Sequence, residues 1–278
     1  MAKRPSGHAD SLALPAYVGR VSRQRVAVVT GGGTGIGRET AVLLAERGHA
    51  VAICGRRAEP LSRVKTEIDA LGGRCLATPC DVRELAQVET FVSEVLDAFG
   101  RVDVVVNNAG GQFVAPAEDI SPKGFRAVHR LGVDGAWNVT HTVATRAMIP
   151  QRSGVVLFVG VSPRRGMPTF AHAASARAAL ENLASGLALE WSRFGIRTVC
   201  VSVGTVATEG LAQYDPDDVA DWVRTIPMQR LGTPREVAEV MAFLASDAAG
   251  YVTGTVVTVD GGADAWGVGG YPAELEPT

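Results

Sequence analysis

One glycine-rich stretch near the N-terminus constrains the fold more than any other part of the chain. The stretch, RVAVVTGGGTGIGR, covers residues 25–38, and its residues 26–29 are an unbroken apolar run. Such a run is typical of a strand buried on both faces in a parallel sheet. The glycines and the apolar helical pattern behind them form a turn that a pyrophosphate can approach closely, because the first N–H groups of a helix favour an anion. The stretch therefore predicts a dinucleotide site rather than a glycine-rich turn without a ligand.

The rest of the chain alternates strand and helix patterns. Further apolar strand patterns lie at residues 50–54, just before 80–82, and at 102–106, 155–159, 197–201 and 254–260. This regular alternation predicts an α/β chain with a three-layer, doubly wound Rossmann fold, a seven-stranded parallel sheet and right-handed crossovers. In such a fold the ligand crevice lies beyond the carboxyl ends of the strands.

Length and composition exclude several classes of protein. No Pro/Ser-rich linker divides the 278 residues, so we expect an N-terminal arm at 1–22 and a single domain at 23–278. The net charge of −2 gives no support to a nucleic-acid partner, and no apolar run is long enough to predict a membrane span. The four cysteines lack metal-site spacing. We therefore predict no metal and a reducing, cytoplasmic location.

The end of the second predicted strand bears on the choice of cofactor. An acidic residue there would accept hydrogen bonds from the adenosine ribose and repel a 2′-phosphate. This chain instead has Arg56 and Arg57, with Arg38 just past the glycine turn. Guanidinium groups can fork onto a phosphate, so the pattern favours NADP(H). Exposed arginines at a strand end that bind nothing are the alternative interpretation.

Two motifs resemble those of the short-chain dehydrogenase/reductase family. They are TGGGTGIG at 30–37 and NNAG at 107–110. The resemblance implies a nicotinamide cofactor, with Asp81 and Val82 beside the adenine and Thr208 on the carboxamide. Family members commonly form tetramers, so it also implies a homotetramer, and residues 209–227 would be a substrate lid. The predicted cofactor-binding residues are Thr30, Gly31, Gly33, Thr34, Gly35, Ile36, Gly37, Arg38, Arg56, Arg57, Asp81, Val82, Asn108, Ala109, Gly110, Arg177, Gly204, Val206 and Thr208.

The chain departs from this family at the positions of its usual carbonyl chemistry. That chemistry uses a Ser, an Asn, and a Tyr four residues before a Lys. No tyrosine lies between residues 18 and 213, and no lysine follows Lys123. The family pattern places Ala173 at the Tyr position and Arg177 at the Lys position, while Gly132 stands where the Asn is expected. An arginine stays protonated at ordinary pH and cannot act as the proton donor. Reduction of simple ketones is therefore not expected.

Reduction of a C=C bond conjugated to a thioester remains possible without that proton donor. Hydride would reach the β-carbon, and the enolate oxygen would need only a hydrogen bond. Residues 107–113, 116–125, 171–183 and 187–191 resemble trans-2-enoyl-CoA reductases of the peroxisomal type and, less closely, 2,4-dienoyl-CoA reductases. The resemblance implies an acyl-CoA or acyl-carrier thioester as the small-molecule substrate. Arg177 would hold the nicotinamide ribose.

The candidate catalytic residues are Ser162, His172 and Arg177. Ser162 and His172 are possible donors to the enolate oxygen, and Asp134 is a nearby carboxylate that would repel it. Ser162, His172 and Asp134 could each instead be an ordinary loop or cap residue. The alternative function is a family member that binds the cofactor but has lost redox chemistry, in a regulatory, structural or non-redox role.

Overall fold

The computed structural model describes residues 24–162, 164 and 166–266; the predicted arm at 1–22 lies outside the described residues. Seven strands form one sheet in the order β3-β2-β1-β4-β5-β6-β7, and every neighbouring pair is parallel. The strands are β1 Val26–Thr30, β2 Ala50–Gly55, β3 Cys75–Pro79, β4 Val104–Asn107, β5 Gly154–Val161, β6 Ile196–Val203 and β7 Thr255–Val259. The predicted doubly wound sheet is confirmed.

Helices cover both faces of the sheet. They are α1 Gly35–Glu46, α2 Ala58–Ala70, α3 Leu85–Phe99, α4 Pro122–His129, α5 Gly135–Val143, α6 Ile149–Gln151, α7 Ala171–Trp191, α8 Pro216–Arg224, α9 Pro234–Ala245 and α10 Ala263–Trp266. A π-helical turn, Arg130–Asp134, joins α4 to α5. None of the helices in the described ranges is long and apolar enough to cross a bilayer.

The three layers follow from the side-chain alternation of the buried strands. In β1, Ala27 and Val29 enter the core formed with α1, α2 and α9, whereas Val26 and Val28 enter the core formed with α3, α5 and α7. Successive side chains of a strand point to opposite faces, so a continuous apolar run can supply two cores at once. The order of the strands then brings the ends of β1 and β4 together, where the chain direction across the sheet reverses.

The glycine turn packs too tightly for side chains. A Cβ on Gly37 would lie 2.3 Å from the carbonyl oxygen of Gly31 and 2.4 Å from Nδ2 of Asn108. Gly31 itself has a positive φ of 64°. The first turn of α1 is therefore pressed against the end of β1, and its backbone stays open to a ligand.

We expect two glycine-to-alanine changes within helices to have opposite effects on stability. Gly37→Ala should lower the free energy of unfolding by about 1–3 kcal/mol, because the methyl group meets backbone that cannot move away. Gly186→Ala in α7 should raise it by about 0.5–1 kcal/mol, because nothing lies within 4 Å of the added Cβ. Urea unfolding of both variants checks this, and a destabilised Gly186→Ala would contradict it.

Candidate active site

A cleft of about 630 Å³ opens beyond the carboxyl ends of the central strands. The elements that form it are the glycine turn, the end of β2, the residues after β3 and β4, and the start of the lid. Most of the predicted cofactor residues line it, namely Gly31, Gly33, Thr34, Gly35, Ile36, Arg56, Arg57, Asp81, Val82, Asn108, Ala109, Gly110 and Thr208. The structure thus brings together residues that lie as far apart in sequence as the first strand and the lid.

Hydrogen bonds between Thr30 and the NNAG segment fix the floor of the cleft. The Thr30 hydroxyl oxygen accepts from the backbone N–H groups of Asn108 (3.0 Å) and Ala109 (2.9 Å). The Asn108 amide donates back to the carbonyl oxygens of Thr30 (3.0 Å) and Gly31 (3.2 Å). Thr30 is buried, and Gly37 lies behind the turn. These two residues therefore shape the cleft rather than line it.

The three arginines predicted near the adenosine ribose do not share one environment. Arg56 and Arg57 are exposed, line the cleft and make no ion pair with another described residue. Arg38 instead forms a two-pronged pair with Glu67, at 2.6 and 3.0 Å, and does not line the cleft. Two guanidinium groups, rather than three, are therefore available to an anion there.

Asp81 lies at the cleft wall with its carboxylate already engaged. The Arg83 guanidinium contacts both of its oxygens, at distances from 2.5 to 3.1 Å. This hydrogen-bonded pair holds the pKa of Asp81 below its usual range, and the charge of Arg56 adds a smaller effect in the same direction. The carboxylate therefore stays ionised and fixed in place.

A second cavity of about 270 Å³, here called the inner pocket, continues from the cleft past Ile36, Gly110 and Thr208. The predicted lid segment contributes to its lining with a 3₁₀ turn, Glu209–Gln213, and with α8. Its apolar wall includes Val161, Met167, Phe170 and Trp222, and its polar side chains include Gln112, Ser162, Arg177 and Tyr214; the predicted residues Gly204 and Val206 also line it. An apolar cavity with a few polar groups, next to a dinucleotide cleft, is a typical site for a small substrate.

Arg177 brings a positive charge into this pocket. Its Nη1 donates to the carbonyl oxygen of Val159 at 2.5 Å, and the guanidinium lies against Gly110, where a Cβ would stand 2.0 Å from Nη2. No carboxylate among the described residues pairs with it. Burial lowers the pKa of Arg177, but a guanidinium remains charged. The group can therefore attract an anionic oxygen or orient hydroxyl groups.

Ser162 lines the inner pocket, but its proton is already used. The hydroxyl donates to the carboxylate of Asp260, which also accepts from the backbone N–H groups of Gly262 (2.8 Å) and Asp264 (2.7 Å). A serine has one proton to donate. In this arrangement Ser162 offers the pocket only lone pairs, and it must leave Asp260 in order to donate to a substrate oxygen.

His172, at the start of α7, does not line the inner pocket. Its ring is fully buried and stacks on Phe113 with centroids 4.1 Å apart, and neither ring nitrogen has a hydrogen-bond partner among the described residues. Burial lowers the pKa of His172 and keeps the ring neutral. Its neighbour Ala173, at the expected Tyr position, is buried in a small apolar cluster with Phe170 and Ala176.

The π-helical turn contains the remaining two positions, Gly132 and Asp134, and places them in different surroundings. Gly132 is buried, and a Cβ there would meet only Ala176, at 3.9 Å. Asp134 is exposed in a different groove, beside Arg130 and Trp137. The structure thus places the Asp134 carboxylate outside the inner pocket.

The pocket residues that were not among the sequence-based candidates include Gln112, Phe170, Tyr214 and Trp222. The aromatic residues of the predicted lid could have pointed to two of them, Tyr214 and Trp222. The family pattern requires a catalytic tyrosine upstream of residue 213, and Tyr214 falls outside that range.

The burial of His172 predicts a dependence of stability on pH. The pKa of His172 in the folded protein lies below the ordinary 6.5, so the unfolded chain binds a proton more readily. The free energy of unfolding therefore falls as the pH drops below 6.5. Urea unfolding at about pH 8 and about pH 5.5 measures the loss. His172→Leu should make the loss smaller, whereas His141→Leu, at an exposed position, should leave it unchanged. Equal losses in the wild type and in His172→Leu would contradict the prediction.

Comparison with known proteins agrees with this geometry. A family profile described as Enoyl-(Acyl carrier protein) reductase matches residues 31–264. The chain is 34% identical over 244 residues to a probable 2,4-dienoyl-CoA reductase, (2E)-enoyl-CoA-producing, of Bacillus subtilis, a match that covers 86% of this chain and 96% of the relative. It is 35% identical over 243 residues to a peroxisomal 2,4-dienoyl-CoA reductase of Danio rerio, with coverages of 86% and 81%.

Solved structures agree as well. Levodione reductase superposes with a TM-score of 0.82 at 33% identity, over 87% of this chain and 98% of that one. A gluconate 5-dehydrogenase from Burkholderia cenocepacia J2315, solved with NADP and tartrate, gives a TM-score of 0.82 at 33% identity, over 87% and 95%. With its parallel sheet, glycine turn and NNAG segment in place, the chain belongs to the short-chain dehydrogenase/reductase family of oxidoreductases.

Proposed function

We propose that this protein uses NADPH to reduce a C=C bond conjugated to a thioester carbonyl, in an enoyl- or dienoyl-CoA-like substrate. The observation that carries the proposal is Arg177, a cation without an ion-pair partner among the described residues, which lines an apolar pocket next to the dinucleotide cleft. The relatives named as 2,4-dienoyl-CoA reductases support the same class of reaction.

The cleft fits the cofactor by shape and by charge. Gly31, Gly33 and Gly35 line the cleft without side chains, so the backbone of the turn is bare where a pyrophosphate would lie. Arg56 and Arg57 would hold a 2′-phosphate, and Thr208, beside Gly35, would contact the carboxamide. When bound, the cofactor would supply a hydride.

The protein's own task is then to manage the negative charge that develops on the thioester oxygen. A fixed positive charge in a partly buried pocket stabilises such an oxygen more strongly than the same charge in water. Arg177 provides that charge and, from the same position, can hold the ribose hydroxyls. Carbon protonation can come from water, so the pocket needs no strong acid.

A redox-inactive binding protein is the second candidate. Two observations favour it: Ala173, at the family's Tyr position, is a methyl group packed in an apolar cluster, and the proton of Ser162 is held by Asp260. Such a protein would bind NADPH tightly and turn over nothing.

A substrate comparison with two Arg177 variants tests the proposal. Purified protein should oxidise NADPH faster with 2,4-dienoyl- or 2-enoyl-CoA than with a 3-oxoacyl-CoA of equal chain length. Arg177→Lys should retain part of this rate, whereas Arg177→Met should lose about a hundredfold, because the charge and the orientation are lost. Tight NADPH binding without oxidation by any conjugated thioester would favour the binding protein, and faster reduction of the 3-oxoacyl-CoA would contradict both accounts.

The cofactor preference has its own test. Arg56→Ala should remove a charge-assisted contact worth about 1.5–3 kcal/mol, and it should therefore weaken NADPH much more than NADH. Arg63→Ala is the matched control, since that arginine lies in α2, does not line the cleft and pairs with Glu59. Fluorescence titration gives both dissociation constants. Equal affinities of the wild type for NADPH and NADH would contradict the assignment.

We also propose a homo-oligomer in the cytoplasm. The observation that supports the oligomer is an outer groove that includes two apolar side chains, Leu85 and Trp137. Their exposed fractions are 48% and 42%. Sedimentation of the purified protein measures its mass, and a monomer would contradict the proposal.

A further inference from the structure

The lid places a phenol in the inner pocket. Tyr214 follows the 3₁₀ turn of the lid, and its ring makes edge-on contacts with Phe170 (centroids 6.2 Å apart) and Trp222 (5.1 Å). Phe170 is itself buried and also meets Trp222 edge-on, at 6.3 Å. Three aromatic rings in mutual contact leave the Tyr214 ring little freedom, so its hydroxyl has a defined position.

The hydrogen bonding of that hydroxyl leaves its proton available. Nε2 of Gln112 donates to the phenol oxygen at 3.4 Å, so the oxygen is an acceptor in this contact. No described residue accepts the Tyr214 proton in return. The hydroxyl of Ser162, which also lines the inner pocket, differs because its proton goes to Asp260. Unlike Ser162, Tyr214 can therefore donate to a substrate without breaking a bond to a carboxylate.

We propose that Tyr214 donates a hydrogen bond to the thioester carbonyl oxygen of the substrate, and that Gln112 positions the phenol for it. The inference rests on the proposed function and adds a catalytic residue to it. As hydride adds to the conjugated carbon, the C=C electron pair moves towards the carbonyl oxygen, and a proton from water completes the product. Tyr214 keeps its own proton throughout, because an enolate oxygen needs stabilisation rather than protonation.

The arrangement accounts for the lack of a tyrosine on α7. In the family pattern the phenol comes from that helix, four residues before a lysine. Here the methyl group of Ala173 takes the helix position, and a phenol reaches the same pocket as Arg177 from the lid side. A hydrogen-bond donor, from the lid, and a fixed positive charge, from α7, are thus both present in the pocket.

Tyr214→Phe is the direct test, because it keeps the ring contacts and removes only the hydroxyl. Turnover of dienoyl- or enoyl-CoA should fall by about a hundredfold, while KM for the thioester and the dissociation constant for NADPH change less than about threefold. Tyr251→Phe, at an exposed position far along the chain, should turn over like the wild type. Melting temperatures of both variants verify folding.

Two variants of Gln112 separate donation from packing. Gln112→Glu replaces the amide donor by a carboxylate of equal shape, which accepts the phenol proton and withdraws it from the substrate. Its turnover should approach that of Tyr214→Phe. Gln112→Leu removes the positioning contact but offers no competing acceptor, so its loss should be clearly smaller. A loss in Gln112→Leu as large as that in Gln112→Glu would overturn the proposed arrangement.

A spectroscopic measurement tests the contact apart from turnover. The infrared carbonyl stretch of a ¹³C-labelled enoyl-CoA, bound with NADP⁺ so that no reduction occurs, should shift to lower frequency in the wild type. Tyr214→Phe should lose most of that shift. If Tyr214→Phe keeps both the turnover and the carbonyl frequency of the wild type, the role of Tyr214 is overturned and the proposed function still stands. Absence of wild-type turnover with every conjugated thioester would refute the proposed function, and the carbonyl shift would still decide the role of Tyr214.

Discussion

The contact between Thr30 and Asn108 is the interaction on which the site depends. It joins the end of β1 to the residue after β4 through hydrogen bonds of 3.0 Å in both directions, and bonds from Ala109 to Thr30 (2.9 Å) and from Asn108 to Gly31 (3.2 Å) lie beside them. The two strands are neighbours at the centre of the sheet, where the strand order reverses. Because Asn108 also packs against Gly37, the same contact sets the distance between the glycine turn and the inner pocket. The cleft and the inner pocket are therefore linked through this contact.

Partner carboxylates determine which arginines are available to ligands. Arg38 and Arg83 are neutralised by Glu67 and Asp81, and such pairs position the chain more than they attract an anion. Arg56 and Arg177 lack such partners in the described part of the chain, and each lines one of the two cavities. Positive charge is thus left unpaired at both ends of the proposed site, where a phosphate and a developing enolate oxygen would lie.

Local patterns predicted the framework well. The apolar run of β1 and the glycine turn depend on neighbouring residues, and both are present as expected. Side-chain partners depend on contacts that no local pattern encodes. The Ser162 hydroxyl meets Asp260, 98 residues away, and Gln112 meets Tyr214, 102 residues away. The sequence therefore predicted which residues line the cleft, but not which protons remain available in the inner pocket.

The central claim is that this pocket directs hydride to a conjugated carbon and leaves the carbonyl group intact. It follows from a fixed charge, an available phenol and an apolar wall, without a strong acid at the α7 position. Single turnover with NADPH deuterated at the transferred position tests it most directly. Mass spectrometry and NMR of the product should place the deuterium on a carbon of the former conjugated system, with the thioester carbonyl unchanged. Deuterium found instead on a carbinol carbon of a hydroxyacyl product from a 3-oxoacyl substrate, with none in products from conjugated thioesters, would contradict the account.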